Sequence, residues 1–261
     1  MKKVILTVIL AAVTLGGCAF HGVNDTPGQT AEFIPATFPT QGGFSENNTD
    51  ETAARQENTA DETEKTGNVT YPGAAVGKTA KGSVISVKDG MTYVDGVLIV
   101  NKSYSISEEN EPGALTDECA AAFDEMAAAA ASEGIYLRVQ SGYRSYSTQE
   151  GLYTRYCDSD GQDAADRYSA RPGHSEHETG LAIDVNSVTN AFKDTPEGIW
   201  LAAHCPEYGF ILRYPEGKEA QTGYIYEPWH IRYLGDRSLA REITDSGLCL
   251  EEYFGIDSVY D

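Results

Sequence analysis

The sequence predicts an α+β fold, with one small domain built on a central, mainly antiparallel sheet with flanking helices and preceded by a disordered tether. After about residue 77, strand-like and helix-like segments alternate without a regular strand–helix–strand repeat, which favours α+β over α/β. Residues 18–76 lack hydrophobic periodicity and are rich in Thr, Asn, Gly, Glu and Asp. Such a stretch cannot bury enough apolar surface to order itself. We therefore expect the folded domain at residues 77–256, a length that suits a single core.

The first elements of the domain are predicted to be a hairpin and a helix. Asp95-Gly96 separates two short apolar runs, which is a strong signal for a two-residue hairpin turn. Thr116 is expected to cap a helix that ends near Ser132, since acidic residues follow it and apolar residues recur at helical spacing. Residues 135–140 are then expected to form a strand.

Besides a strand around residue 184, the second half of the domain is predicted to contain three helices and two strands. Residues 147–150 (STQE) form a capping-box pattern that should open the second helix. Pro196 suits the first turn of the third helix, and Gly209 should end it. The remaining predicted elements are strands at residues 210–213 and around 224–233, and a last helix at about 238–246.

The first residues have the pattern of an export signal. A basic start, Met1-Lys2-Lys3, precedes an apolar run that is too short for a comfortable membrane span. The following LGGC resembles the bacterial lipoprotein signal-peptidase box. This resemblance implies a signal peptide at residues 1–17, cleavage before Cys18 and a lipid on the Cys18 sulfur. An ordinary secretory signal is the alternative. Either way, we expect the mature protein outside the cytoplasm, and in the first case lipid-anchored to the membrane and facing the cell wall.

Charge and cysteine content narrow the possible partners. The formal net charge is -21, which argues against a nucleic-acid partner because phosphate binding needs a basic face.

The four cysteines beyond Cys18 form no CxxC pair, so a cysteine zinc site is not expected. Export favours disulfides, and of the three possible pairings we expect Cys157–Cys205 and Cys119–Cys249. The oligomeric state is open, with a monomer expected.

Two short segments together have the composition of a metal site. Residues 175–184 read SEHETGLAID and residues 227–232 read EPWHIR. His177, Asp184 and His230 offer two imidazoles and one carboxylate, and catalytic zinc typically has three protein ligands and an open fourth position. Glu227 is left over as the natural base for a water molecule at the metal. The sequence therefore predicts metal-assisted hydrolysis.

Strand geometry tests whether these residues can converge. Alternate residues of a strand share a face, so Asp184 should face a cleft while Ile183 and Val185 face the core. Glu227 and His230 are three residues apart and would point to opposite faces of a regular strand. Because proline cannot continue a regular ladder, we expect a bulge or an edge at Pro228 that brings both side chains to one metal.

These motifs resemble those of the VanY-type D-alanyl-D-alanine carboxypeptidases, zinc enzymes of peptidoglycan related to the VanX dipeptidases. The family pattern is S-x-H-x6-D followed by E-x-W-H, with an SGYRS element before them, which stands here at residues 141–145. The likeness covers about residues 101–235 and implies a zinc-peptidase domain. It implies that His177, Asp184 and His230 are the metal ligands and that Glu227 is the base. It also implies that Arg144 polarises the scissile carbonyl and that Ser175 and Gln149 contact the substrate.

The resemblance implies a zinc-dependent D,D-carboxypeptidase that removes the C-terminal D-alanine from peptidoglycan stem peptides. An L,D-carboxypeptidase acting on tetrapeptide stems is the alternative within the same group. A wall-peptide-binding module without turnover is a different class, and the presence of both Glu227 and Arg144 argues against it. A serine D,D-peptidase is excluded because no lysine has a serine three residues before it.

Overall fold

The computed structural model describes residues 71–260. The predicted signal peptide (1–17), the predicted lipidation site Cys18 and most of the predicted tether (18–76) lie outside the described residues. Within residues 71–260, no helix has the length and apolar character needed to cross a bilayer.

The described part of the chain contains eight strands and seven α-helices. The strands are β1 (Ala74–Lys78), β2 (Val84–Lys88), β3 (Met91–Val94), β4 (Val97–Ile99), β5 (Val139–Ser141), β6 (Ala182–Val185), β7 (Phe210–Leu212) and β8 (His230–Tyr233). The helices are α1 (Asp117–Ser132), α2 (Tyr146–Asp160), α3 (Gln162–Ala165), α4 (Pro196–His204), α5 (Glu219–Thr222), α6 (Arg237–Ser246) and α7 (Leu250–Phe254). Three 3₁₀ turns lie at Glu176–Thr179, Asn190–Asp194 and Cys205–Tyr208. The α+β class is confirmed.

The first sheet is an antiparallel meander of β1 to β4 in chain order. The predicted hairpin is confirmed, with Val94 paired to Val97 across the turn. Asp95 and Gly96 both have positive φ, as the tight turns that match strand twist require. β1 begins at Ala74, before the predicted domain start at residue 77. The sheet packs through Val94, Val97 and Ile99 against α6 and α7.

The second sheet has the order β5-β6-β8-β7 and is antiparallel throughout. Ile183 of β6 lies opposite Ile231 of β8, and both are fully buried against α1 and α4 in the main core. Asp184 lies opposite His230 in the same pair of strands. Because side chains alternate along a strand, Asp184 and His230 share the face opposite to the isoleucines. The core therefore positions the candidate ligands.

Two predicted strands are shorter in the structure. Only residues 139 and 140 of the predicted strand 135–140 lie in β5, because the Asn186 side chain takes the place of a strand partner before them. Its Oδ1 accepts from the Arg138 backbone N at 2.8 Å, and its Nδ2 donates to the Tyr136 carbonyl at 2.9 Å. Of the predicted strand around 224–233, only His230–Tyr233 is regular.

Helix starts were predicted with mixed success. The Thr116 cap of α1 is confirmed, since its Oγ1 accepts from the Cys119 backbone N at 3.2 Å. The capping box predicted at residues 147–150 is wrong, because α2 begins at Tyr146 and its cap is Ser145, whose Oγ accepts from the Thr148 backbone N at 3.2 Å. The third helix begins at Pro196 as predicted, and the 3₁₀ turn after it ends at Gly209.

The predicted disulfides Cys157–Cys205 and Cys119–Cys249 are wrong, since all four of these cysteines are free thiols. Cys119 is buried in the main core against the second sheet, whereas Cys249 precedes α7, which packs in the other core cluster. Cys205 is buried in the main core, whereas Cys157 lies on the partly exposed helix α2. Burial raises the pKa of the Cys119 and Cys205 thiols to about 12. These thiols behave as small apolar core groups.

Two helical glycines should respond oppositely to alanine. At Gly198 an added Cβ would lie 2.0 Å from the Phe192 carbonyl oxygen, so Gly198→Ala should destabilise the domain by about 1–3 kcal/mol despite better helix propensity. At Gly151 the nearest atom to an added Cβ is the Arg155 Nη1 at 3.6 Å, which is an ordinary contact. Gly151→Ala should therefore raise the free energy of unfolding by up to about 1 kcal/mol, through better helix propensity. Urea denaturation of both variants measures this. Equal effects would contradict the close contact at Gly198.

Candidate active site

Three buried side chains converge on one face of the second sheet, beside its two central strands. One ligand atom each from His177, Asp184 and His230 lies within 4.8 Å of the others. His177 Nε2 is 3.3 Å from Asp184 Oδ2, and His230 Nδ1 is 3.1 Å from Asp184 Oδ1. The two imidazole rings meet edge to face, with 5.0 Å between centroids. The structure thus brings together the three residues predicted as metal ligands.

Local structure fixes the position of each ligand. Asp184 and His230 are paired across β6 and β8. His177 lies in the 3₁₀ turn that precedes β6, and Gly180 ends this turn with φ +69°. A Cβ at Gly180 would lie 2.5 Å from the Ala114 carbonyl oxygen, so both the backbone conformation and the close approach require glycine there. This turn directs His177 back towards Asp184.

A hydrogen bond to the backbone leaves the facing nitrogen of His177 free for a cation. His177 Nδ1 is 2.7 Å from the Gly142 carbonyl oxygen and must donate to it, so the unprotonated Nε2 faces Asp184. Backbone carbonyls commonly orient metal-binding histidines in this way. Burial also lowers the pKa of His177, which favours the neutral imidazole that a metal needs. Two imidazoles and a carboxylate form a donor set that fits catalytic zinc.

The electrostatics of the cluster also suit a cation. Burial alone would raise the pKa of Asp184, but the neighbouring His177 and His230 outweigh it and hold that pKa well below its usual range. Burial would lower the pKa of His230, but hydrogen bonds to Asp184 and Glu176 outweigh it and raise the pKa to about 9. Asp184 is therefore ionised, and a positive charge in this space is stabilised.

Glu227 lies beside the cluster because of a turn, not the bulge predicted at Pro228. The His230 backbone N donates to the Glu227 carbonyl at 3.3 Å, and residues 228–229 form the turn. Proline suits the second position of such a turn. The Glu227 Oε2 is 3.6 Å from His230 Nδ1. Burial raises the pKa of Glu227 to about 8, although the nearby His230 opposes this. A carboxyl group in this state can both take and give a proton near neutral pH.

Arg144 faces the same cavity from the loop after β5. Its Nη1 donates to Gln149 Oε1 at 2.7 Å and its Nη2 donates to Ser141 Oγ at 3.2 Å. Its backbone N donates to the His177 carbonyl at 3.1 Å, which links it to the metal cluster. Burial lowers the pKa of Arg144, but a guanidinium stays charged. Arg144 therefore places a positive charge, fixed by two side-chain hydrogen bonds, next to the cluster.

The two residues predicted to contact substrate differ in position. Ser175 is buried and lines the cavity, and its hydroxyl does not cap the 3₁₀ turn that follows. Gln149 is fully buried behind Arg144 and is not among the residues that line the cavity. Its side-chain amide nitrogen, Nε2, donates to the Ala170 carbonyl at 2.6 Å. In this structure Gln149 holds Arg144, whereas a substrate contact by Gln149 stays a prediction.

The cavity at the cluster has a volume of about 480 Å³. The metal-cluster residues, Glu227 and Arg144 all contribute to its wall. The wall also contains aromatic side chains: Tyr156, Tyr168, Tyr214, Tyr224 and Trp229. A cavity of this size with a few convergent polar groups is typical of a small-molecule or peptide-end site.

Sequence reasoning missed the buried charges behind the cluster. Glu176 is fully buried and pairs with Arg213 at 2.7 Å and Arg232 at 2.8 Å. Burial would raise the pKa of Glu176, but the two guanidiniums hold it well below its usual range. A signal existed in the sequence, since Arg213 and Arg232 interrupt apolar strands where an unpaired charge would be expensive.

Comparisons with known proteins agree with this geometry. The family described as VanY: D-alanyl-D-alanine carboxypeptidase matches residues 113–236. The D-alanyl-D-alanine carboxypeptidase of Enterococcus faecium is 32% identical over 191 residues, covering 64% of this chain and 60% of the relative. The chain thus spans about 60% of the length of the first curated relatives it matches.

Two solved structures are similar over nearly their whole length. The LdcB LD-carboxypeptidase is 40% identical, with a TM-score of 0.62, and the match covers 68% of this chain and 98% of that one. A variant of the vancomycin-resistance D,D-pentapeptidase VanY, in complex with Zn(II), is 31% identical with a TM-score of 0.53, covering 59% of this chain and 96% of that one.

The matched family region contains every predicted metal-site residue, from Arg144 to His230. Since the similarity also extends over nearly all of the LdcB structure at 40% identity, this chain belongs to the VanY family of D-alanyl-D-alanine carboxypeptidases.

Proposed function

We propose that this protein is a zinc carboxypeptidase that removes the C-terminal D-alanine from peptidoglycan stem peptides. One observation carries the proposal: a His–Asp–His cluster, a buried carboxyl group and a guanidinium share one cavity wall. Membership of the VanY family supports the same reaction. A wall-peptide-binding module would need neither Glu227 nor Arg144 in these positions.

Zinc would be held by His177 Nε2, Asp184 and His230 Nδ1, the atoms that face one another. When bound, it would supply Lewis-acid chemistry, lowering the pKa of a water molecule and polarising a carbonyl oxygen. A solved relative, the VanY D,D-pentapeptidase, contains Zn(II). The donor set, its burial and the hydrogen bond to His177 support the same ion here.

Glu227 is proposed to move the proton of the reaction. Its carboxylate takes a proton from the attacking water and later passes it to the nitrogen of the departing D-amino acid. Its pKa of about 8, raised by burial, lies close enough to neutral pH for both steps. A cation bound at the cluster would lower this pKa further towards neutrality, because opposite charge favours the ionised carboxylate.

Arg144 is proposed to stabilise negative charge that develops on the scissile carbonyl oxygen. Hydrogen bonds to Gln149 and Ser141 hold its guanidinium before substrate arrives, so little reorganisation is needed. A preorganised donor of this kind typically contributes about 3–4 kcal/mol to the transition state.

The reaction could act on two kinds of stem peptide, and we propose D,D-cleavage first and L,D-cleavage as the alternative. The first is D,D-cleavage of pentapeptide stems, the activity named for the Enterococcus relatives and the VanY structure. The second is L,D-cleavage of tetrapeptide stems. The observation in support of this alternative is sequence identity. This chain is 40% and 39% identical to the LdcB and DacB L,D-carboxypeptidase structures, and 31% identical to the VanY D,D-pentapeptidase. Both versions use the same cluster, base and arginine.

We also propose that the protein is exported and anchored by a lipid on Cys18, where it reaches stem peptides of the wall. The basic start, the short apolar run and the LGGC sequence support this location. A monomer is proposed as the working state.

Defined stem peptides test the reaction. The full-length protein should release D-alanine from a pentapeptide stem, a chelator should abolish release, and added zinc should restore it. Release from a tetrapeptide stem alone would establish the L,D version instead. Absence of release from both peptides by the zinc-loaded protein would refute the carboxypeptidase proposal.

Removing the base should separate chemistry from metal binding. Glu227→Ala should reduce kcat by about 10²–10⁴-fold, because it removes proton transfer. It should still bind zinc, since Glu227 is not a member of the ligand cluster. His177→Ala is the matched variant and should lose both zinc and activity. Zinc content by elemental analysis, measured beside kcat, separates the two, and full activity in Glu227→Ala would contradict its role.

Replacing the proposed lipid site should change location. Cys18→Ser should shift the protein from the membrane fraction to the medium or leave its precursor unprocessed. Mass spectrometry of the wild-type protein should find a mature N-terminus at Cys18 with added acyl mass. A wild-type N-terminus at any other residue would contradict lipidation.

A further inference from the structure

A second carboxylate contacts the metal cluster from behind. Glu176 lies next to His177 in sequence, yet its side chain contacts the other histidine. Its Oε2 is 3.4 Å from His230 Nε2. The opposite nitrogen of that ring, Nδ1, is 3.1 Å from Asp184 and faces the cluster. His230 therefore lies between two carboxylates, one on the cluster side and one behind it.

The position of Glu176 is fixed by two guanidiniums on one oxygen. Arg213 Nε donates to Oε1 at 2.7 Å, and Arg232 Nη1 donates to the same oxygen at 2.8 Å. The second oxygen is left for His230. All three charged side chains are buried to within 1% exposure. Breaking a buried ion pair is strongly destabilising, so these two contacts hold the Glu176 side chain in place.

The arginines are held in turn by elements far from the cavity. Glu251 of α7 accepts from Arg213 Nη1 at 2.9 Å, and Asn101 Nδ2 donates to Glu251 at 3.0 Å. Arg232 Nη2 donates to the Leu98 carbonyl of β4 at 2.7 Å. The network thus connects His230 to the first sheet and to the last helix.

We propose that Glu176 is a positioning residue for the metal cluster, which accepts the Nε2 proton of His230 and so keeps Nδ1 free and aimed at the metal. This inference rests on the proposed function only in that the cluster binds zinc. Without the acceptor behind it, His230 could adopt the other tautomer or rotate, and the metal would lose a well-oriented ligand. Partners of this kind typically change metal affinity by about 10–100-fold.

A charge-matched pair of variants tests the proposal. Glu176→Gln removes the carboxylate that contacts His230. Glu251→Gln is the control, because it removes a buried carboxylate from the same Arg213 without touching His230. Both should lower the denaturation temperature. Zinc dissociation constants, measured by competition with a chelator, should rise by about 10–100-fold in Glu176→Gln and clearly less in Glu251→Gln. Equal zinc affinities in the two variants would overturn the proposal.

A measurement on the wild-type chain keeps the proposal testable if Glu176→Gln does not fold. Nitrogen-15 NMR of the zinc-loaded protein should find His230 protonated at Nε2 and not at Nδ1. A proton on Nδ1 would overturn the proposal, as would a wild-type chain that binds no zinc. A protein that binds zinc and behaves as expected in these tests, but releases no D-alanine, would refute the proposed function alone.

Discussion

The antiparallel pairing of β6 with β8 is the constraint on which the rest of the site depends. It sets Ile183 opposite Ile231 on the core face and Asp184 opposite His230 on the other. A slip of one residue would turn every side chain to the wrong face. Burial of the two isoleucines against α1 and α4 opposes such a slip. Hydrophobic packing on one face of the sheet therefore sets the distance between two candidate ligands on the other.

Residues of the site outside the strands are held by turns that are themselves tied to the cluster. His177 lies in a 3₁₀ turn that only glycine at residue 180 can end, and its carbonyl accepts from the Arg144 backbone. Glu227 is joined to His230 by a β-turn. The base and the arginine are therefore positioned relative to the ligands by a few backbone hydrogen bonds. A site of this kind needs little rearrangement before chemistry.

A buried network of paired charges lies behind the site and consists of Glu176, Arg213, Arg232 and Glu251. Such networks gain little net stability, because desolvation offsets much of the Coulomb attraction. Their value here is geometric, since charged groups that must stay paired allow few alternative arrangements. The network also gives the first sheet and α7 a part in the site, although neither contributes a residue to the metal cluster.

Local signals determined much of this protein from the sequence alone. Residue types at fixed spacing pointed to His177, Asp184 and His230, and turn and cap residues predicted the hairpin at Asp95-Gly96 and the start of α1. The hairpin and the cap depend on a few neighbouring residues, whereas the two metal-site segments were linked by the family pattern that they resemble. Long-range packing decided the rest: free thiols in place of disulfides, the Asn186 side chain that shortens β5, and the contact between Glu176 and His230, which are 54 positions apart. Spacing along the chain carries no information on such contacts, because they arise only when the sheets and helices pack.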